Sequence, residues 1–376
     1  MRIGIECHNL ENQRWGIGRN LEKLLSNIVQ FKKTRPELIK GLEFFLYFRS
    51  FIPDDDFLKD PIFKCRVLKF IRPSFNIFYH ILIPLQYKKD KLDGIFFPGY
   101  MLPPLFKGKS LVTLTNDAYY EFKYGVLPWR YRLSYGLFSK WAAKKATKIT
   151  TYSGFAKNEL MKIYGIKPER ISVNPLGVEF RDELGIKSHE SGENNPKYLL
   201  YVGQAFPRRR VLESIVGFSK IAKKYQDINF IVVGKDKYKK PVLKELVNFL
   251  NKKLGRERII YKDYVSNEEL IEFYKKALAM VYISSSEAFG LPPIEILQYK
   301  VPSLMKKPGP GPEIFGENAF YIENETNIDE IARIMSEVIE DKEKRSLIAK
   351  KSQEIIKKFN WPNHTEKFIT TIKELN

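Results

Sequence analysis

Short runs of valine, isoleucine, leucine and aromatic residues recur along the chain, each separated from the next by a longer stretch whose apolar positions fall at helical spacing. In the first half the runs RIGIE (2–6), LEFFLYF (42–48), RVLKF (66–70), GIFFP (94–98), LVTLTN (111–116), KITTY (148–152) and ISVNP (171–175) read as strands. The rhythm restarts after SHESGENNPK (188–197), a polar segment with the Asn, Gly and Pro content of a linker. KYLLYVG, INFIVVG, RIIYKDY, MVYISSS, PSLMKK and AFYIEN then alternate with helical patterns to the end. Strands that are apolar throughout, instead of every second residue, are buried on both faces. Strands of that kind alternating with helices form parallel sheets covered on both sides. The pattern therefore predicts an α/β protein of two doubly wound, Rossmann-like domains facing across a cleft, over residues 1–185 and 186–360. A last helix, 361–376, is expected to pack back on the first domain. A length of 376 residues agrees with two domains, being more than one core usually serves.

Composition changes this picture only through charge. The formal net charge is +20, and residues 1–180 carry the larger part of it. Basic residues there are interleaved with aromatics, most densely in WRYRLSYGLFSKWAAKK (129–145). That helix is either an element lying on an anionic membrane surface or a core-packed helix with a solvated lysine face. The excess charge also admits a nucleic-acid partner or acidic small molecules. No window holds the roughly 18 apolar residues of a spanning helix, since the greasiest region, 73–87, is short and interrupted. Two distant cysteines, Cys7 and Cys65, form neither a disulfide framework nor a ligand cluster, and no apolar leader precedes the first strand, so a cytoplasmic location is expected.

In open parallel sheets ligands bind beyond the carboxyl ends of the strands, so the chemistry is sought in the strand-to-helix loops. CHNLENQRWGIGRN (7–20) ends in Gly16-Ile17-Gly18 before a helix; it is too long for a dinucleotide turn and has leucine where a third glycine is wanted. QAFPRRRVLE (204–213) sets Arg208, Arg209 and Arg210 where a helix begins, and cations at the positive end of a helix dipole call for an anion such as a diphosphate. The alternative there is a solvated basic cap. SSSEAFGLPPIE (284–295) places Glu287 and Glu295 either side of a glycine turn whose Pro292 and Pro293 suit a first helical turn.

These stretches together resemble family 4 of the retaining glycosyltransferases with the GT-B fold. SSSEAFGLPPIE resembles that family's Glu-x7-Glu motif, MRIGIECHNLENQRWGIGRN its amino-terminal glycine loop, and PRRRVLESIVGFSK its phosphate-binding helix start. TYSGFAKNELMKIYGIKPERISVNPLGVE, VPSLMKKPGPGPEIFGENAFYIE and FNWPNHTEKFITTIKEL follow in the family's order, so the resemblance covers nearly the whole chain. It implies transfer of a hexose, mannose-like, from a GDP- or UDP-linked sugar to a saccharide or lipid-linked saccharide, and the positive charge of the first half suggests an anionic acceptor at the inner face of a membrane. Glu287 would hold the donor sugar's hydroxyls and Glu295 the ribose, while Arg208 and Arg209 neutralise the departing diphosphate. Gly203, Gly290, Leu291 and Val265 would line the nucleotide, with Gly16 and Gly18 meeting the phosphates from the first domain. Asn116 and Asp117 stand where the family has His-Asp, and Asn116 cannot carry a proton. Ala288 replaces a usual glycine, Arg209 a lysine and Gln204 an arginine.

Competing chemistry finds little support. Asp54-Asp55-Asp56 follows Pro53 and reads as a solvated acidic turn, and His8, His80, His189 and His364 lack paired ligand spacing, so no metal and no cofactor beyond the sugar nucleotide are expected. The serines 284–286 are expected to end their strand by bonding local backbone. Alternatives that keep the fold are a sugar-nucleotide hydrolase, a phosphorylase or an inactive donor-binding partner. A nucleic-acid-binding α/β protein rests on net charge alone.

Overall fold

The structure, a computed structural model, describes residues 1–12, 14, 16–71, 74–178 and 197–375. The expected domain boundary between 185 and 186, His189 and nearly all of the linker segment 188–197 lie outside the described residues. The chain forms two compact units: unit 1 takes Met1–Lys123, Trp129–Gly177 and Phe359–Asn376, and unit 2 takes Tyr124–Pro128 and Val178–Lys358.

Unit 1 is built on β1 (Arg2–Glu6), β2 (Glu43–Phe48), β3 (Phe63–Val67), β4 (Gly94–Phe97), β5 (Ser110–Thr113), β6 (Lys148–Thr151) and β7 (Ile171–Val173). They form one sheet in the order β3-β2-β1-β4-β5-β6-β7, and each described pairing is parallel. Unit 2 carries β8 (Lys197–Val202), β9 (Ile228–Val233), β10 (Ile259–Lys262), β11 (Ala279–Tyr282), β12 (Ser303–Lys306) and β13 (Phe320–Ile322), ordered β10-β9-β8-β11-β12-β13 and again parallel. The doubly wound α/β architecture read from the sequence is thus the observed one. β3 begins earlier than its apolar run, at Phe63 instead of Arg66. Its register is set by Phe63 opposite Phe44, whose rings meet edge to face at 6.1 Å, and as an edge strand it alternates buried and open positions.

Both sheets reverse their winding once. In unit 1 the strand order turns between β1 and β4, and in unit 2 between β8 and β11. At such a point the connections leave toward opposite faces and open a crevice beyond the carboxyl ends of the two strands.

Helix Trp129–Lys145 buries only Ser139, Ala142 and Ala143, while Trp129, Tyr131, Leu133 and Leu137 are exposed. Its carboxy-terminal half nevertheless packs on the core of unit 1, through Ala142, Ala143 and the partly buried Tyr135 and Trp141. No helix among the described residues is long and apolar enough to cross a membrane.

The last helix, Trp361–Lys373, belongs to unit 1 and completes its core. Phe368, Ile369, Ile372 and Leu375 join Ile3, Ile5 and Leu24 in one buried cluster, and Phe368 meets Phe96 edge to face at 4.9 Å. On the same helix His364 is buried, its ring Nδ1 donating to the Pro175 carbonyl at 2.9 Å. Burial pushes this imidazole down to about 4, against the pull of the Pro175 carbonyl. An unfolded chain, with an ordinary histidine pKa near 6.5, takes up a proton here that the folded protein refuses. The stability from keeping His364 neutral is complete above about pH 6.5 and is lost as pH falls toward 4, at up to about 1.4 kcal/mol per pH unit. Urea titrations of the wild-type protein and a His364→Gln variant across this range are expected to give a shallower loss of stability in the variant.

Candidate active site

The crevice of unit 2 is where the arginines and acids come together. Pro207–Arg209 form a single 3-10 turn after β8, and Arg210 is the first cap of the helix Val211–Ile221. Arg210 adopts a left-handed backbone, φ 51° and ψ 37°, which a side chain bearing a Cβ takes only when its surroundings impose it. Those surroundings are visible: its Nε donates to Ser285 Oγ at 2.7 Å, its Nη1 to Glu213 at 2.9 Å, and Glu325 lies 3.9 Å from Nη2. Lys306, 3.2 Å from Glu325, extends the network. Burial pushes the Glu325 carboxyl up, but backbone hydrogen bonding and Lys306 outweigh it and hold the group below the usual carboxylate range.

The backbone of the arginine loop is tied to the loop after β11. Arg208 accepts on its carbonyl the Ser285 N–H at 2.7 Å and the Ser284 hydroxyl at 3.3 Å. Ser284 also bonds Ser286 O at 2.7 Å. The serine run therefore does more than the expected local turn bonding; it fastens the loops of the two switch-point strands to each other.

Glu287 follows on that loop and forms an ion pair with Arg209, both side chains largely buried at 13% and 16% exposure. Tyr282 donates to the same carboxylate at 3.1 Å and lies under the Arg209 guanidinium, 4.7 Å from ring centroid to Cζ. Both contacts fall on Oε2, so Oε1 makes no hydrogen bond among the described residues. A carboxylate has about four acceptor sites, and Oε1 keeps its share for a ligand. Arg208 lies over the Phe206 ring at 4.8 Å. The crowding of three cations expected at this helix start is thus relieved in part by the protein's own carboxylates.

Of the other residues predicted in unit 2, Gly290 lies beside Glu287, a Cβ there standing 3.8 Å from the Glu287 side chain. Gly290 caps the helix Leu291–Leu297 with φ +90°, and Glu295 is half-buried on that helix. Because Pro292 and Pro293 lack N–H groups, the donors of this turn are those of Gly290, Leu291 and Ile294. Gly203 ends β8 at φ +139°, and its carbonyl lies 2.0 Å from where a Cβ on Gly234 would sit, so the loops after β8 and β9 touch backbone to backbone. Val265 is buried just before Ser266, which caps the helix Asn267–Lys276 with Glu269 in a capping box.

Four predicted residues sit in unit 1. Asn116 is buried at the start of helix Asn116–Tyr124, beyond β5, with Asp117 next to it. Gly16 caps the helix Ile17–Thr34 with φ +49°, and Gly18 lies so close to the preceding turn that a Cβ would stand 2.5 Å from the Asn9 carbonyl. Asp55 of the acidic turn pairs with Arg14 at 3.0 Å, while Asp54 and Asp56 lie 2.9 and 3.0 Å from Lys59. Among the described residues no cluster of three or more His, Cys, Asp or Glu is arranged to hold a metal ion.

Sequence reasoning missed Tyr282, Ser285, Glu325 and Lys306. The signal for Tyr282 was present, a lone tyrosine near the end of a buried strand directly before the motif. Nothing in the sequence brings 306 and 325 to Arg210.

Comparison with known proteins points to one family. The family described as "Glycosyl transferases group 1" matches residues 186–355, and "Glycosyltransferase Family 4" matches 53–181. The chain is 30% identical over 185 residues to the O-antigen chain mannosyltransferase RfbU of Salmonella typhimurium, covering 49% of this chain and 48% of that protein. It is 26% identical over 239 residues to the O-antigen chain mannosyltransferase B of Escherichia coli, 61% of either chain. The matches thus span about half to three-fifths of these relatives' lengths. Among solved structures, Anabaena HepE in complex with UDP and glucose superposes with a TM-score of 0.68 at 16% identity, covering all of both chains.

Replacing Arg209 by Met leaves the buried Glu287 carboxylate without its counter-charge, and unfolding free energy is expected to drop by about 2–4 kcal/mol. An Arg209→Met/Glu287→Gln double variant, compared by chemical denaturation, is expected to recover at least half of that loss.

Proposed function

We propose, from the premise that this chain belongs to family 4 of the glycosyltransferases (glycosyl transferases group 1), that it transfers a hexose from a nucleoside-diphosphate sugar to a saccharide or lipid-linked saccharide with retention at the sugar carbon. The observation that carries this reading is the lock between the arginine loop and the Glu287 loop at the switch point of unit 2. Breaking the bond between the sugar carbon and the phosphate oxygen sends an electron pair onto the diphosphate. Preorganised cations stabilise that charge most where water is excluded. Arg208 and Arg209 are the groups for that task, and they make an obligatory metal unnecessary. Glu287 Oε1 takes donor sugar hydroxyls, Glu295 takes the ribose, the N–H groups of Gly290 and Leu291 take phosphate or sugar oxygens, and Gly203 and Val265 flank the nucleotide. Asn116, Asp117, Gly16 and Gly18 serve the same reaction from unit 1. The mannosyltransferase names of the sequence relatives support mannose as the sugar and a surface glycan as the product.

The acceptor side is read from charge. The basic excess of the first half and the exposed Trp129, Tyr131 and Leu137 beside Arg130 and Lys140 support contact with an anionic membrane at its cytoplasmic face.

Thermal melts in the presence of GDP, UDP, ADP and their sugars are expected to show stabilisation by one nucleotide series, since a ligand of the folded state raises stability by mass action. Glu287→Ala is expected to reduce transfer by about 10²–10³-fold, as loss of a preorganised polar group does, while the bare nucleotide still stabilises the variant. Transfer at the wild-type rate in that variant sinks the assignment. In sedimentation with vesicles, binding is expected to anionic and not to neutral lipid, and a Trp129→Ala/Leu137→Ala variant is expected to bind about tenfold more weakly, a change of about 1.4 kcal/mol.

A further inference from the structure

The switch point of unit 1 holds a pair of residues that the preceding assignment leaves unused. β1 ends at Glu6, whose side chain is almost fully buried, and His8 opens the short turn that follows. The Glu6 carboxylate accepts the His8 backbone N–H at 2.8 Å and is paired with His8 Nδ1. This fixes the ring in its pocket and gives Nδ1 the proton. Nε2 makes no hydrogen bond among the described residues, and 24% of the side chain is open to solvent. A buried carboxylate that orients an imidazole, with the second nitrogen left to the solvent side, is an arrangement that serves a ligand.

The surroundings indicate which kind. Phe75 meets the His8 ring edge to face at 5.0 Å and stacks on Tyr79 at 5.2 Å; Phe78 stands 6.4 Å from the imidazole on its other flank. Phe75 is only partly buried, so part of its surface stays accessible next to the His8 ring. Phe78 and Tyr79 lie on Phe78–Leu82, a single π-helical turn, and such turns are rare and concentrate at functional sites. Among the described residues, the charged groups that act most strongly on His8 are Glu6, Glu11 and Arg49. Two carboxylates against one guanidinium disfavour an anion. An aromatic ring next to a polar nitrogen suits a sugar, which offers an apolar C–H face and hydroxyls at its edge.

We propose that Glu6, His8 and Phe75 form a saccharide subsite in unit 1, in which His8 Nε2 hydrogen-bonds a hydroxyl of the acceptor and Phe75 packs against its ring. The proposal rests on the glycosyltransferase reading and deepens it by naming the acceptor's recognition group. Burial lowers the basicity of His8, but the Glu6 charge and hydrogen bond exceed that effect and leave it above the ordinary histidine value, in keeping with a carboxylate-oriented ring.

The chain has four histidines, so imidazole resonances can be assigned with one His8→Ala spectrum. Titration of the full-length protein with methyl α-mannoside, methyl α-glucoside, methyl α-galactoside and methyl N-acetyl-glucosaminide is expected to shift the His8 signals with at least one of them. His8→Ala and Phe75→Ala are each expected to weaken that glycoside about tenfold while leaving the nucleotide-induced rise in melting temperature at its wild-type size. Silence of the His8 signals toward all four glycosides, or unchanged affinity in both variants, overturns the subsite. Failure of every nucleotide to stabilise the wild-type protein overturns the donor reading instead, and the two results are read from separate experiments.

Discussion

A parallel sheet wound in both directions must change direction somewhere, and at that place no connection covers the ends of two adjacent strands. The chemistry described above depends on this constraint. In unit 2 the gap lies beyond β8 and β11, and the loops that emerge there carry Arg208 to Arg210 and Ser284 to Glu287. In unit 1 it lies beyond β1 and β4, where Glu6 and His8 stand. Groups more than seventy residues apart in sequence meet because the strands before them are neighbours.

Proximity alone would leave two flexible loops. What makes one rigid element of them in unit 2 is a set of bonds from one loop to the other: Ser285 N–H to the Arg208 carbonyl, Arg210 to Ser285, and Arg209 to Glu287. A site ordered before its ligand arrives avoids part of the entropy that binding otherwise costs. Arg210 shows the extent of this ordering, since a non-glycine residue in the left-handed region persists only when neighbours hold it there. The same carboxylates that hold the arginines also spread negative charge through the cluster, and they leave its cations fixed in direction.

The architecture was legible in the sequence because strands buried on both faces are written as uninterrupted apolar runs, and the helical patterns between them leave few alternatives. β3 was displaced because an edge strand needs only alternate burial, and its charged Lys64 hid its start. Arg208, Arg209, Glu287 and Glu295 stood out as charged residues at strand-to-helix junctions. Glu325 and Lys306 did not, since they reach the arginine loop from β12 and from beyond β13, across the sheet, where no local spacing reports them. His8 was weighed only as a metal ligand. Its partner two residues earlier belongs to a strand, and a strand residue of alternating face gives no sign that its carboxylate turns back toward the following loop.

The return of the last helix to unit 1 has a consequence for how the polypeptide is made. Phe368, Ile372 and Leu375 fill the same cluster as Ile3 and Leu24, and Leu375 packs on Gly94 so closely that a Cβ there would lie 2.8 Å from it. Domains on a ribosome generally fold in the order of synthesis. Here the unit begun first lacks part of its interior until residues 361–375 have been made, so unit 2, contiguous in its main span, can close while its predecessor still waits with an open apolar flank. A chain cut short near residue 358 therefore keeps that apolar flank of unit 1 uncovered and is expected to aggregate more readily than the whole.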